Sequence, residues 1–320
     1  MKLGLLSAAV LGTIILAGCL ESRQDFVLNP DGSGKVVVDL LVMEMMPMMG
    51  EAGQGDPELP VKRMAREILD RSVMVDAWTD VAFDRADDGR IHFKGTAYFK
   101  EFGKMRLSRS KVTGVSFTKD DQGGMVLTME TAEKKPPSSA TPPAKLSDDE
   151  IAQRIKDQRD KAQATRPMLE LFMAKFKMDL VFRLPGTVAE ATHFQREPGG
   201  AVRLTVDGQK ILQVMDQLVA DDAFMRDLVA SGESFGPGGS RMSDAINEKL
   251  FGSKAPVRVR VNGDLKPLFD YEAEAKKARD AYPKMLEQLG LDKLPPAPRR
   301  PQFRGMMTPP GGPGGAPPQP

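Results

Sequence analysis

Cysteine, histidine and tryptophan are nearly absent from this chain. Its 320 residues include one cysteine, Cys19, two histidines and one tryptophan. A single cysteine excludes an internal disulfide, a redox pair of cysteines and a zinc site built from several thiolates. An excess of either charge is also lacking, because 45 lysines and arginines accompany 44 aspartates and glutamates. Without an excess of positive charge, the chain lacks the electrostatic attraction that concentrates nucleic acid, so we expect no nucleic-acid partner.

A long apolar run lies at the start of the sequence. Lys2 precedes it, and the 14 residues from Leu3 to Leu16 carry no charge. A helix that spans a bilayer needs roughly 20 apolar residues, so this run has the length of a secretory signal instead. Residues 1–18 are therefore predicted to be a signal peptide.

The run ends in Leu16-Ala17-Gly18-Cys19. Small residues before a cysteine suit the pocket of a signal peptidase, and the pattern resembles the bacterial lipoprotein signal. That resemblance implies cleavage after Gly18 and acylation of Cys19 as the first residue of the mature chain. An ordinary signal anchor with an incidental cysteine is the alternative. Two or three acyl chains anchor a protein stably where one does not.

The residue after the cysteine bears on location. It is Leu20 and not an aspartate. In Gram-negative lipoproteins this favours the outer membrane, facing the periplasm, over the inner membrane or the cell surface. The predicted partners are the lipid bilayer, through acylated Cys19, and a lipid or an envelope protein. No cofactor is predicted.

The remaining sequence predicts an α+β fold, in which antiparallel β-hairpin sheets pack with amphipathic helices. Residues 19–132 are predicted to form a β-rich half with one helix, and residues 147–292 an α+β half. Residues 133–146, rich in proline, serine and alanine, are predicted to be a linker. Residues 293–320 are predicted to be a disordered tail, because positions 295–320 hold ten prolines and five glycines.

Local patterns sharpen this prediction. Turn residues from Asn29 to Gly34 predict a tight reversal between two strands. Ser147 and Glu150 have the spacing of a capping box that opens a helix. One face of a predicted helix is apolar at Val61, Met64, Ala65, Ile68 and Leu69.

Two prolines and two arginines predict features of the second half. Pro167 predicts a break or restart in a helix, and Pro283 predicts a kink or restart in the last one. Arg258 and Arg260 alternate with valines, which predicts an edge strand with one wet face. The two arginines are also candidates to contact a phosphate or carboxylate.

Trp78 is a candidate ligand contact. Apolar and polar residues alternate from Val73 to Phe83, which places Trp78 with Asp76 and Asp80 on the face opposite the valines. A tryptophan beside carboxylates can stack on a sugar, or it can pack under a helix or a neighbouring strand. The two aspartates lie about 13 Å apart along a strand, and a glycosidase pair needs roughly 5–9.5 Å.

A methionine cluster follows the first predicted hairpin. Thioethers suit Cu(I), so copper handling is an alternative function. The same residues also fit a mobile apolar loop that touches lipid, ligand or partner, with Met45 and Met46 as candidate contacts. The cluster consists of Met43, Met45, Met46, Met48 and Met49.

An unrecognised hydrolase is the third alternative. Ser234 lies in a G-x-S-x-G string, but a helix is predicted before it and a Pro-Gly-Gly segment follows, so a flexible loop is expected. Ser108 and Lys111 form an S-x-x-K string in a predicted strand-and-turn region. The only histidines are His92, predicted to face solvent, and His193.

The order of turns and strands resembles the LppM-type bacterial lipoproteins. One matching segment is the Asp31-Gly32-Ser33-Gly34 turn, which follows the lipobox Leu16-Ala17-Gly18-Cys19. The other is Leu184-Pro185-Gly186, between two later strands. The resemblance implies a non-enzymatic α+β extracytoplasmic domain that binds lipid or another envelope component. It transfers no ligand residues, and residues 207–251 depart from the family's order.

We therefore expect a membrane-anchored extracytoplasmic lipoprotein with a non-catalytic binding or assembly role at the bacterial cell envelope, and no enzyme. Lipid binding predicts an apolar cavity large enough for an acyl chain, roughly 300–1,000 Å³.

Overall fold

The computed structural model of the chain describes residues 21–43, 58–108, 115–129, 146–235, 240–252 and 257–294. These residues form eleven β-strands and six α-helices. The strands are β1 (Glu21–Leu28), β2 (Gly34–Val42), β3 (Ala77–Arg85), β4 (Ile91–Phe99), β5 (Val115–Lys119), β6 (Met125–Met129), β7 (Lys177–Arg183), β8 (Thr187–Thr192), β9 (Gln195–Arg196), β10 (Val202–Asp207) and β11 (Val257–Asn262). The helices are α1 (Leu59–Arg71), α2 (Asp148–Met173), α3 (Gly208–Ala220), α4 (Asp222–Ala230), α5 (Ser240–Phe251) and α6 (Tyr271–Gln288).

The described strands form two sheets. The larger has seven strands in the order β3-β4-β2-β1-β7-β10-β9, and the smaller has four in the order β5-β6-β11-β8. Neighbouring strands are antiparallel except β1 and β7, which run parallel. The predicted α+β class, with antiparallel hairpin sheets and packed helices, is confirmed.

Strand pairing joins the two predicted sheet-containing halves. β1 pairs with β2 from its own half and with β7 from beyond residues 133–146. In the smaller sheet, β11 pairs with β6 on one side and β8 on the other. Hairpin patterns identify strands that are close in sequence, but they do not show which distant strand completes a sheet. The two predicted halves therefore share both sheets and one main core.

The main core lies between the two sheets and is closed by α1. Phe26 of β1 stacks on Phe182 of β7 with ring centroids 4.8 Å apart, and Leu127 and Val259 of the smaller sheet are fully buried. The apolar face predicted for α1 is confirmed, because all five of its residues are buried. Gly34 is required where β2 begins, since a Cβ there would lie 2.7 Å from the Phe99 ring.

Helices α2 to α5 form a second apolar cluster around Met173, Leu212 and Met215, beside the larger sheet. Helix α2 opens with the predicted capping box, in which Ser147 accepts from the Glu150 N–H and the Glu150 carboxylate accepts from the Ser147 N–H. None of the described helices is long and apolar enough to cross a membrane.

Helix α6 covers the outer face of β3 and β4. Its residue Tyr271 donates a hydrogen bond to Asp76, and the Tyr98 hydroxyl on β4 donates to Glu274 at 3.1 Å. Burial, followed by the Glu274 carboxylate, raises the pKa of Tyr98 to about 12. Two phenol–carboxylate pairs thus fasten the last helix to the sheet.

The predicted break at Pro167 is wrong, and the last helix does not restart at Pro283. α2 continues through Pro167 and α6 through Pro283. A proline deprives the carbonyl four residues earlier of its partner, and those residues, Gln163 and Arg279, are exposed, so water can satisfy them. In α2 the Thr165 hydroxyl also donates to carbonyls of the preceding turn.

Strand β3 contains an irregularity that corrects the predicted faces. Its pairing with β4 shifts register between Thr79 and Ala82, where Asp80 adopts a left-handed conformation with φ of 53°. Because the extra residue resets the alternation, Trp78 and Val81 both lie in the main core.

Strand β11 is interior and not an edge strand, since β6 and β8 flank it. Arg260 donates to Asp120 at 2.6 Å and to Gln122 at 2.5 Å, so the β5–β6 turn neutralises it. Burial alone would raise the pKa of Asp120, but bonds from the Gly124 N–H and Arg260 lower it overall.

Several predictions fall outside the described residues. They concern the signal residues Leu16, Ala17 and Gly18, the lipidation site Cys19, the methionines Met45, Met46, Met48 and Met49, the linker segment 133–145 and the tail segment 295–320.

Candidate functional site

The first described strand starts in the middle of the larger sheet. Glu21 pairs with Leu41 of β2 on one side and with Lys177 of β7 on the other. At the same edge Val42 pairs with Ile91. We call this edge of the sheet the Glu21 end. Cys19 precedes Glu21 by two residues, so the predicted lipidation site is joined directly to a central strand.

A chain of ion pairs closes the Glu21 end. Arg90 donates to Glu21 and to Asp88, each at 2.8 Å, and Lys175 donates to Asp88 at 3.0 Å. Burial by itself lowers the pKa of Arg90, but its two carboxylate partners outweigh burial and raise that pKa. The hydrogen bond from Lys175 contributes most to lowering the pKa of Asp88. These contacts hold the start of β1, the β3–β4 turn and the segment after α2 together.

Exposed apolar side chains lie next to β2 and on the helix that leads into β7. Met43 directly follows β2 and is 48% exposed. Met168 and Leu171, in the last two turns of α2, are 53% and 69% exposed. The two are three residues apart, so they lie on one face of the helix.

A cleft of about 150 Å³ lies beside β10, where β9 pairs with Val202 and Arg203 and no other described strand pairs along that edge. The end of α5 forms the opposite wall. The lining residues are His193, Gln195, Arg203, Leu204, Thr205, Val206, Asp207, Lys210, Leu250 and Phe251.

A salt-bridge network occupies one wall of this cleft. Arg203 donates two hydrogen bonds to Asp179, which also accepts from the Thr205 hydroxyl at 3.1 Å, and Arg203 reaches Glu197 at 3.3 Å. Burial alone would raise the pKa of Asp179, but Arg203 and Thr205 hold it below its usual value. The same pair raises the pKa of Arg203. Because Arg203 is already neutralised, it offers little free positive charge to a ligand.

His193 has an unusual local geometry. Its backbone lies in the left-handed region with φ of 68°, its ring centroid is 5.5 Å from that of Phe251, and its buried Nε2 has no hydrogen-bond partner. The only hydroxyl in the cleft lining, that of Thr205, donates to Asp179. The cleft therefore holds no hydroxyl paired with His193 as a nucleophile and base would be.

The hydrolase strings do not form catalytic geometry. Ser234 follows α4 in a loop whose Phe235 N–H donates to Gln158, so the strand–serine–helix arrangement of a nucleophile elbow is missing there. Ser108 is buried and its N–H donates to Ser72, while Lys111 lies outside the described residues.

His92 faces outward on β4, as predicted. It lies 3.0 Å from Asp39 and 3.3 Å from Asp84. Among the residues that the structure describes, no group of three or more histidine, cysteine, aspartate or glutamate side chains is arranged to hold a metal ion. Copper binding by the methionine cluster stays a prediction, since only Met43 of that cluster is described.

The position of Trp78 does not suit the predicted contact with a ligand. Its side chain is buried, with only 3% exposed, and its ring packs edge-on against Phe93 at 5.8 Å. Asp76 is engaged by Tyr271. With its ring enclosed by the core, Trp78 presents no face to a sugar.

Two cavities in the described part of the chain are each smaller than an acyl chain needs. One, beside Gln24 and Phe102, measures about 10 Å³, and the cleft measures about 150 Å³. Neither of these two cavities reaches the expected volume of 300 Å³.

Comparison of the chain with known protein families, with curated proteins and with solved structures found no match.

Proposed function

We propose that this chain is a lipoprotein of the bacterial cell envelope, anchored through acylated Cys19 and acting by binding or assembly rather than catalysis. The observation that carries the proposal is the position of β1. An anchor two residues before Glu21 would hold a strand that is paired on both sides. The lipobox at residues 16–19 supplies the chemistry of the anchor.

The binding role is proposed for the surface. Neither of the two cavities described above is large enough to enclose an acyl chain. A protein held close to a membrane can instead bring a surface to an envelope component. Leu20 after the anchor favours the outer membrane, facing the periplasm.

Mass spectrometry of the protein purified from native membranes tests the anchor. We expect the N-terminal peptide to begin at Cys19 and to carry acyl chains. The Cys19→Ser variant should leave the membrane fraction, and a Leu20→Ala control should stay in it. An unmodified Cys19 in the membrane-bound protein would refute the proposal.

Chemical crosslinking in intact cells tests the binding role. We expect the anchored protein to yield a discrete lipid or protein adduct that the Cys19→Ser variant does not form. Acylation without any recovered adduct would support the anchor and contradict the binding role.

A further inference from the structure

The elements that meet at the Glu21 end carry three exposed apolar side chains, and the predicted attachment point precedes β1 there. Leu171 and Lys177 are six residues apart, and Lys177 pairs with Glu21 in the neighbouring strand. Paired strands lie about 4.8 Å apart, so the last turns of α2 are close to the start of β1. The Lys175–Asp88–Arg90–Glu21 contacts fix that proximity.

The distance from the anchor to this end is short. The two residues from Cys19 to Glu21 span at most about 7 Å. The interfacial layer of a bilayer is also several ångströms thick on each side. Side chains at the Glu21 end would therefore meet the lipid interface if Cys19 is acylated.

The exposed residues suit that environment. Met168 and Leu171 expose more than half of their surface on one helix face, and Met43 is nearly half exposed. Lys175 is paired with Asp88, so exposed apolar area rather than free positive charge would favour contact with lipid. Apolar side chains in such positions bury into the headgroup boundary.

We propose that the Glu21 end is a membrane-contact surface, in which Met43, Met168 and Leu171 enter the interface of the bilayer that holds the anchor. This inference rests on the proposed function, because it requires acylated Cys19. The occupant is lipid, and the body has one fixed orientation on the membrane.

Leu268 provides a matched control. It is 46% exposed, close to the value for Met168, and its N–H donates to Asn29, which follows the opposite end of β1. A side chain there faces away from the bilayer in the proposed orientation.

Site-specific photocrosslinking in native membranes tests the proposal on the full acylated chain. The photoreactive residue p-benzoylphenylalanine replaces Met168 in one variant and Leu268 in the other. We expect a lipid adduct on the peptide that contains position 168 and none at position 268. Equal lipid adducts at both positions, no lipid adduct at 168, or a protein adduct at 168 would each overturn it.

The mass of the N-terminal peptide is measured in the same sample. Acylated Cys19 without a lipid adduct at 168 refutes the membrane-contact surface and leaves the anchor intact. Unmodified Cys19 refutes both the anchor and the surface.

Discussion

Replacing Arg203 by methionine should leave the buried Asp179 carboxylate without its main partner. Asp179 is 5% exposed and receives two hydrogen bonds from Arg203 and one from Thr205. Breaking a buried ion pair costs about 3–5 kcal/mol. Arg203 is 31% exposed and Thr205 remains, so we expect a loss of about 2 kcal/mol in the free energy of unfolding at pH 7.

The pH dependence gives this prediction a second test. The pKa of Asp179 is lowered in the folded protein. Its stabilising contribution is therefore present above the unfolded value of about 3.9 and is lost as the pH falls through the folded value. The difference between wild type and Arg203→Met should shrink below about pH 4.

Urea unfolding followed by Trp78 fluorescence is the measurement, because the only tryptophan lies in the main core. The double variant Asp179→Leu with Arg203→Met is the control and should recover most of the loss, since no buried charge remains unpaired. A loss below about 0.5 kcal/mol, or one that is unchanged at pH 3, would refute the reasoning.

Three further predictions follow from the fold. Burial and Glu274 raise the pKa of Tyr98 to about 12. The contribution of Tyr98 to the free energy of unfolding is therefore present below the unfolded pKa of about 10 and is lost as the pH rises toward 12. Tyr98→Phe should reduce this loss of stability at alkaline pH in urea titrations. Gly34→Ala should destabilise by about 1–3 kcal/mol in thermal unfolding because its Cβ meets the Phe99 ring. Gly103→Ala should change little, because the added Cβ would lie at an ordinary contact distance of 3.5 Å from the Val115 carbonyl oxygen. A fragment of residues 19–132 should give the circular dichroism of an unfolded chain, since β7 and β11 are missing; a cooperative unfolding transition would contradict the shared core.

The secondary structure was predictable where its cause is local. The apolar stripe of α1, the Asn29–Gly34 turn and the Ser147 capping box each depend on residues within a few positions of one another. The structure confirms all three. Helix caps and turns depend on nearby side chains, so a single sequence contains the information that fixes them.

The errors have a different origin. The bulge at Asp80 inserts one residue into the alternation of β3, and with it Trp78 and Val81 both lie in the main core. A helix through Pro167 survives because its surroundings are exposed. Each outcome depends on what packs nearby, which periodicity along one strand or helix does not contain.

The candidate site was predictable only in part. Cys19 follows from a contiguous motif and stays a prediction, because it lies outside the described residues. The chain of contacts from Lys175 to Glu21 joins residues far apart in sequence and was not predicted. Nor was the cleft, which lies beside β10 where β9 is only two residues long and no other described strand pairs along that edge.

The parallel pairing of β1 with β7 connects the fold to the proposed anchor. A tether on an edge strand could peel that strand from its sheet one hydrogen bond at a time. β1 is bonded to β2 over eight residue pairs and to β7 over seven, so a pull from Cys19 along the strand loads both ladders together. The ion pair between Arg90 and Glu21 adds a side-chain contact at the point where the pull enters. The distant partner strand that the sequence did not predict is thus the feature that makes this position suited to an anchor.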